Sequence, residues 1–200
     1  MKRILLLVFT LAAFQANAQV VAIVDLIRLM FTWQEGGYEM KLTTFNGEPA
    51  FLHGVRGGWY VHEGEKTDVV MGIGMYGAST SLNEQRLSTQ ENLFTFYTTL
   101  YCGVRLKHKG PIDFEFPAHI GYGTVYMEKA YVSYGGTDSR AGGYFIAEPN
   151  ANALLKLGKS VRFGVGCGYR IIGGIRINGT DNIGMSGLTL NATLRFGRYD

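Results

Sequence analysis

Large apolar side chains occupy every second position along most of this chain, and that spacing limits the fold more than any other feature. The stretch VRFGVGCGYRII, residues 161–172, alternates large residues with glycine and arginine. A period of two is that of a β-strand, in which successive side chains point to opposite faces. A half-buried soluble strand exposes polar residues on its second face. A second face of glycine and arginine fits a cramped interior instead.

Eight segments show this alternation, and turn residues bound each of them. They are residues 38–45, 50–62, 68–80, 93–107, 112–127, 144–158, 161–174 and 185–197. After the first hairpin, which turns at 46–49, short links alternate with the long links 81–92, 128–143 and 175–184. A meander places every second link at the same end, so we expect short turns at one end and longer loops at the other. That arrangement is typical of outer-membrane β-barrels.

The N-terminus has the three parts of a secretory signal peptide. A cationic start at Lys2 and Arg3 precedes an apolar run over 4–14, and Ala16-Asn17-Ala18 forms an A-x-A cleavage site. We therefore predict a signal peptide over 1–18, with cleavage between Ala18 and Gln19. We expect an N-terminal segment over 19–37, either a short helix or irregular, and a barrel domain over 38–200. The apolar part of that segment, 20–33, is shorter than the roughly 20 residues a spanning helix needs.

Two placements of the faces fit the alternation. In a soluble barrel the apolar face points inward, whereas in a membrane barrel it meets lipid and the polar face lines the lumen. The second placement is favoured because the segments often exceed the ~9–11 residues that cross a bilayer and because aromatic residues recur near their ends. The predicted fold is an all-β, eight-stranded antiparallel up-and-down transmembrane β-barrel with a filled polar lumen. In the stretch 161–172, the glycines would then make room for long arginines in the lumen.

Several charged side chains fall on the predicted inward parity. They are Arg56, Arg105, Asp113, Glu115, Glu148, Lys156, Arg162, Arg170 and Arg195. They could form a polar conduit, but a charge-compensated structural network is favoured because eight strands enclose just enough space for side chains. We expect Arg105 to pair with Asp113 or Glu115. Glu148 is a candidate partner for Arg162 or Arg170.

No other motif indicates chemistry. The four histidines have no metal-ligand spacing, and His119, inward in mid-strand, is expected to be a satisfied interior residue. No catalytic, cofactor or metal site is predicted. The net charge of +3 without a Lys/Arg run gives no reason to expect nucleic acid as a partner. Cys102 and Cys167 lie on non-neighbouring predicted strands, so we expect two free thiols.

The chain also resembles a known class of proteins. The stretches that carry the resemblance are NGEPAFLHGVRGGWYV (46–61), GIGMYG (72–77), FIAEPNANALLKL (145–157), GCGYRI (166–171) and the C-terminal LTLNATLRFGRYD. They are similar to small eight-stranded outer-membrane β-barrels, the class of the outer-membrane protein A transmembrane domain, and more narrowly to a group of small outer-membrane proteins of Bacteroidetes. The C-terminus departs from the usual aromatic end, since Arg198, Tyr199 and Asp200 follow Phe196 and Gly197.

This resemblance implies a bacterial outer-membrane protein without a wide pore, with a structural or surface-interaction role. Its expected partners are outer-membrane lipids, the barrel-assembly machinery and an extracellular ligand or protein that contacts the loops. One alternative is a soluble exported barrel that binds a small apolar ligand, as lipocalins do. Another is a lipid-modifying barrel enzyme, for which Ser79, Ser81 and Ser133 lie near the loop rim without an obvious histidine partner.

Overall fold

The computed structural model describes residues 34–84, 89–131, 137–177 and 180–199. The predictions for the signal peptide and for residues 19–33 lie outside this part of the chain. The strands are β1 (Glu35–Phe45), β2 (Glu48–Glu63), β3 (Thr67–Glu84), β4 (Thr89–Leu106), β5 (Ile112–Tyr131), β6 (Thr137–Lys156), β7 (Val161–Gly173) and β8 (Gly187–Gly197). A four-residue helix, α1 (Asn182–Met185), precedes β8. No helix among these residues has the length and apolar character needed to cross a membrane.

The eight strands form a closed antiparallel barrel, as predicted. Each strand pairs with the next along the chain, and β1 pairs with β8 from Glu35↔Gly197 to Leu42↔Leu190. The first hairpin turns on Asn46 and Gly47, whose φ angles of 50° and 86° are the left-handed values that a two-residue Asn-Gly turn requires. β1 begins at Glu35, so its first residues lie in the segment that the sequence placed before the barrel.

The two ends of the barrel differ. One end, hereafter the short-turn end, carries the links 64–66, 107–111 and 157–160, and the other, hereafter the long-loop end, carries the links 46–47, 85–88, 132–136 and 174–186. Only 174–186 is longer than the links of the short-turn end, so the predicted sorting of the links by length is wrong for the others. The long links predicted at 81–92 and 128–143 are wrong in extent, because β3, β4, β5 and β6 continue through most of them. Backbone pairing continues there because the hydrogen bonds of a hairpin do not depend on an apolar face. The link predicted at 175–184 is confirmed as non-strand and ends in α1.

The outer wall of the barrel is apolar on all eight strands. Large outward residues are half exposed, among them Leu100 at 61 % and Ile120 at 63 %. Cys102 and Cys167 also lie exposed on this wall, on the non-neighbouring strands β4 and β7, and are free thiols as predicted. The apolar parity therefore points outward and the polar parity points into the lumen.

The lumen is filled by two kinds of side chain. Towards the long-loop end lies an apolar cluster, hereafter the apolar half. Its members include Phe45, Leu52, Leu93, Val125, Tyr144, Ile146, Ile172, Ile175 and Met185. Ile175 and Met185 come from the β7–β8 link, which thus packs into the mouth of the barrel. Towards the short-turn end the buried side chains are mainly charged.

Candidate functional site: the charged lumen

Six acidic and six basic side chains are buried among the described residues, so the buried charges balance. The acids are Glu35, Glu39, Asp68, Asp113, Glu115 and Glu148, and the bases are Lys41, Arg56, Arg105, Arg162, Arg170 and Arg195. A buried ion costs several kcal/mol to desolvate unless a partner compensates for it. Equal numbers of the two signs are therefore what a dry interior requires.

The largest group, hereafter the arginine–glutamate cluster, consists of Glu35, Glu39, Arg56, Arg105, Glu115 and Arg195. Glu115 is its centre. It accepts hydrogen bonds from Nη2 of Arg105 at 3.0 Å and from Nη1 of Arg195 at 2.6 Å. The pairing expected between Arg105 and Glu115 is confirmed, and the two residues lie directly opposite each other on β4 and β5. Arg105 also donates to Glu35 and to the Tyr60 hydroxyl.

Arg56 is held by charge and by an aromatic face rather than by hydrogen bonds. Its guanidinium nitrogens lie 3.6 Å from Glu115, 3.8 Å from Glu35 and 3.9 Å from Glu39. Its guanidinium carbon lies 4.1 Å from the centre of the Tyr101 ring, an arrangement that attracts a cation to an aromatic face. Three carboxylates and one ring thus compensate a single buried arginine.

Glu148 pairs with Lys41, and the partners predicted for it, Arg162 and Arg170, are wrong. The Lys41 Nζ lies 2.5 Å from Oε1 of Glu148 and 4.2 Å from the centre of the Tyr76 ring. The sequence prediction failed because Lys41 is on β1 and Glu148 on β6, which face each other across the lumen without pairing. Arg162 contacts Asp113 instead.

Arg170 is compensated by carbonyl groups at the edge of the apolar half. Its Nε donates to the Met185 carbonyl at 2.8 Å, and Nη2 donates to the Thr44 carbonyl at 3.1 Å. Its guanidinium lies over the Phe45 ring at 4.4 Å. Arg170 therefore ties the end of α1 to β1.

Asp113 and Lys156 meet at the short-turn end, where Lys156 is only partly buried. The Lys156 Nζ lies 2.9 Å from Asp113 and donates to the carbonyls of His108 and Gly110. All nine lumen residues predicted from the sequence therefore lie on the inward face, and Lys156 stands at its rim. Nearby, Asp68 pairs with Lys107 at 2.8 Å.

The sequence reasoning missed Glu35, Glu39, Lys41 and Asp68 as lumen charges. A signal for three of them was present, because Glu39 and Lys41 alternate with large apolar residues and Asp68 has the parity of Val70 and Gly72. Glu35 was missed because the strand was expected to start later.

His119 points inward as predicted, but it is not fully satisfied, because its Nε2 has no hydrogen-bond partner among the described residues. Its Nδ1 lies 3.2 Å from the Thr99 hydroxyl, and its ring stacks on Tyr101 with 5.2 Å between centres. The glycines of β7 do not make room for arginines. Gly166 and Gly168 lie opposite Asn152 and Asn150 on β6, and the amide side chains of these asparagines occupy the space that a β-carbon would need.

Comparison with known proteins shows the fold. The sequence matches no family model and no curated protein. The structure is similar to Neisserial surface protein A, with a TM-score of 0.52 and 12 % identity over 82 % of this chain and 94 % of that one. It is also similar to the attachment invasion locus protein of Yersinia pestis, with a TM-score of 0.46 and 11 % identity over 82 % and 95 % of the two chains. The structural neighbours are small eight-stranded outer-membrane β-barrels.

Proposed function

We propose that this chain is an integral protein of the bacterial outer membrane, with a closed lumen and with its long-loop end projecting outside the cell as an interaction surface. The observation that carries the proposal is the outer wall, where exposed large apolar side chains lie on all eight strands. Soluble monomers rarely expose apolar patches beyond a few hundred Å². A bilayer is the environment that such a wall fits.

The proposal includes the route and the partners. A signal peptide over 1–18 would export the chain, the barrel-assembly machinery would insert it, and outer-membrane lipids would cover the wall. The resemblance to small outer-membrane proteins of Bacteroidetes belongs to the same proposal and rests on the quoted stretches alone.

The lumen supports a structural role rather than wide-pore transport. The arginine–glutamate cluster and the apolar half together occupy the middle of the barrel and its long-loop end. Eight strands leave an interior just wide enough for side chains. We propose that this filling stabilises the closed barrel and that the protein is not an enzyme.

The long-loop end supports the surface role. β3 to β6 continue past the last pairs that join them to β2 and β7, Leu52↔Ala78 and Phe145↔Gly173. The pairs Glu84↔Thr89 and Ala130↔Thr137 lie well beyond that level. Since β4 and β5 also remain paired up to Thr89↔Tyr131, the strands β3 to β6 extend beyond the ring of eight strands as one four-stranded sheet. We propose that this sheet contacts an extracellular ligand or protein.

A soluble lipocalin-like barrel would need the opposite faces. Its ligand cavity would be lined by the large apolar parity, whereas here that parity is outside and charged side chains fill much of the inside. A lipid-modifying enzyme would need a rim nucleophile and base within hydrogen-bond reach. Ser79 is exposed on the outer face of β3, and no observation on the described residues favours it as a nucleophile.

Gel mobility of the mature protein in detergent, boiled against unboiled, tests the proposal together with cell fractionation. We expect the unboiled band to migrate differently and the protein to sediment with outer membranes. Unchanged mobility and solubility without detergent would contradict it.

A further inference from the structure

The short-turn end of the barrel opens into a cup that the proposed function does not use. Its volume is about 1130 Å³. Its basic lining residues are Lys66, Lys107, Lys109, Lys156 and Arg162, and its acidic ones are Glu63, Glu65 and Asp113. Tyr199, which follows β8, also lines it.

The floor of the cup holds more positive than negative charge. Asp113 is its buried carboxylate, and both Lys156 and Arg162 contact it. One carboxylate compensates one cation, so the floor keeps an excess positive charge facing the opening. On the rim, Lys66 and Lys109 have no ion-pair partner among the described residues, and neither have Glu63 and Glu65, so these four charges cancel. Lys107 is offset by Asp68. The excess of the cup is therefore the one positive charge of its floor.

Two buried hydrogen-bond donors at the floor also lack partners within the described chain. They are the Nε of Arg162, a residue that is only 4 % exposed, and the hydroxyl of Tyr199. The Arg162 guanidinium carbon lies 4.0 Å from the centre of the Tyr199 ring, so the two side chains form one stacked unit. Burial raises the pKa of Tyr199 to about 12, so its hydroxyl keeps its proton at neutral pH. Unpaired buried donors are costly, and an acceptor from outside would relieve that cost.

From the cavity, the excess charge and the unpartnered donors, we propose that this cup binds a phosphate group. The Arg162–Tyr199 unit forms the floor of the site, and Lys66 and Lys109 are the rim side chains that contact the phosphate. The phosphate belongs either to a soluble ligand or to the headgroup of a phospholipid. The proposal does not depend on what the long-loop end binds.

Calorimetric titration of the full mature protein with pyrophosphate, in maltoside micelles that contain no phosphate, tests the site. We expect saturable binding. The double variant Lys66→Gln/Lys109→Gln should bind pyrophosphate about tenfold more weakly. Each of the two rim charges contributes about threefold to the association constant when water separates it from the ligand. Tyr199→Phe keeps the ring stacked on Arg162 and removes only the donor, so it should weaken binding about tenfold.

Lys159→Gln is the matched control. Lys159 is an exposed lysine in another turn of the same end, and it does not line the cup. Its replacement should leave the affinity unchanged. Absence of saturable binding by the wild-type protein, or equal weakening by Lys159→Gln and the cup variants, would overturn the proposal.

A second pair of titrations distinguishes the two sources. They compare nanodiscs of phosphatidylglycerol with maltoside micelles at the same high salt concentration, which screens the negative charge of the lipid surface. If the headgroup occupies the cup, pyrophosphate should bind more weakly in the nanodiscs than in the micelles. If the ligand is soluble, its affinity should be the same in both, and the cup variants should again weaken it.

Discussion

The two halves of the lumen fill the same kind of space in different ways. The apolar half, near the long-loop end, packs residues such as Leu52 and Leu93 that have no measurable exposure. The charged half, near the short-turn end, packs the arginine–glutamate cluster, in which each side chain depends on several others. An apolar side chain needs only contact, whereas a buried ion needs a partner of opposite sign. The charged half should therefore tolerate single substitutions less well.

Glu115→Gln should have the largest effect, because it removes the carboxylate that Arg56, Arg105 and Arg195 share. We expect a loss of about 3–5 kcal/mol in the free energy of unfolding, measured by urea unfolding in detergent. Glu48→Gln, at an exposed glutamate that begins β2, is the control and should be neutral. A loss below 1 kcal/mol at Glu115 would mean that the cluster is hydrated or not formed.

Leu52→Ala probes the apolar half and should cost about 3 kcal/mol, because it leaves a cavity in a packed interior. The measurement is the same unfolding curve. Leu190→Ala, on the outer wall at 53 % exposure, is the matched control and should cost much less. Equal losses at the two leucines would contradict the assignment of faces.

The pair Lys41 and Glu148 allows a double-mutant cycle in the lumen. Lys41→Met and Glu148→Leu should each destabilise the barrel, since each leaves one buried ion without its main partner. The double variant should be about 2 kcal/mol more stable than the sum of the single losses predicts. Additive losses would show that the contact of 2.5 Å between them contributes no coupling.

Arg170→Met should have the smallest effect, about 1 kcal/mol, because Arg170 hydrogen-bonds carbonyl groups and its loss leaves no carboxylate without its contact partner. Unfolding in detergent again measures it. A loss as large as that of Glu115→Gln would show that the apolar half depends on its one arginine as the charged half depends on Glu115.

The sequence predicted which residues face the lumen better than it predicted their partners. The period of two identifies the residues that share a face with the glycines and charges, and it correctly predicted that residues such as Arg195 point into the lumen. The pair Arg105–Glu115 could be predicted because the two residues are opposite on consecutive strands. The pair Lys41–Glu148 could not be predicted. Strands that face each other across the lumen are positioned by the curvature and stagger of the closed barrel, and the alternation of residues along one strand carries no information about either.

The same limit explains the strand ends and the glycines. The sequences of the hairpin extensions of β5 and β6, residues 128–131 and 137–143, show no alternation of large apolar residues, so the pattern did not mark them as strand. Asparagines of the neighbouring strand fill the space beside Gly166 and Gly168. This contact could have been predicted only if the register between β6 and β7 had been known. Register follows from pairing, and the turn at 157–160 alone does not set it.

The two native thiols allow the most direct test of the central claim that the apolar wall faces lipid. Cys102 and Cys167 lie exposed on that wall, beside Met71 and Ala118 and beside Ala151 and Leu190. We attach a fluorescent maleimide to both thiols of the unfolded protein and refold the protein into phospholipid nanodiscs, because a thiol facing hydrocarbon is too little ionised to react there. We predict that brominated lipids quench the attached fluorophore. In folded protein without the fluorophore, a charged, water-soluble maleimide should leave both thiols unlabelled. Rapid labelling by the charged reagent in the folded protein, without quenching by brominated lipid, would contradict the account.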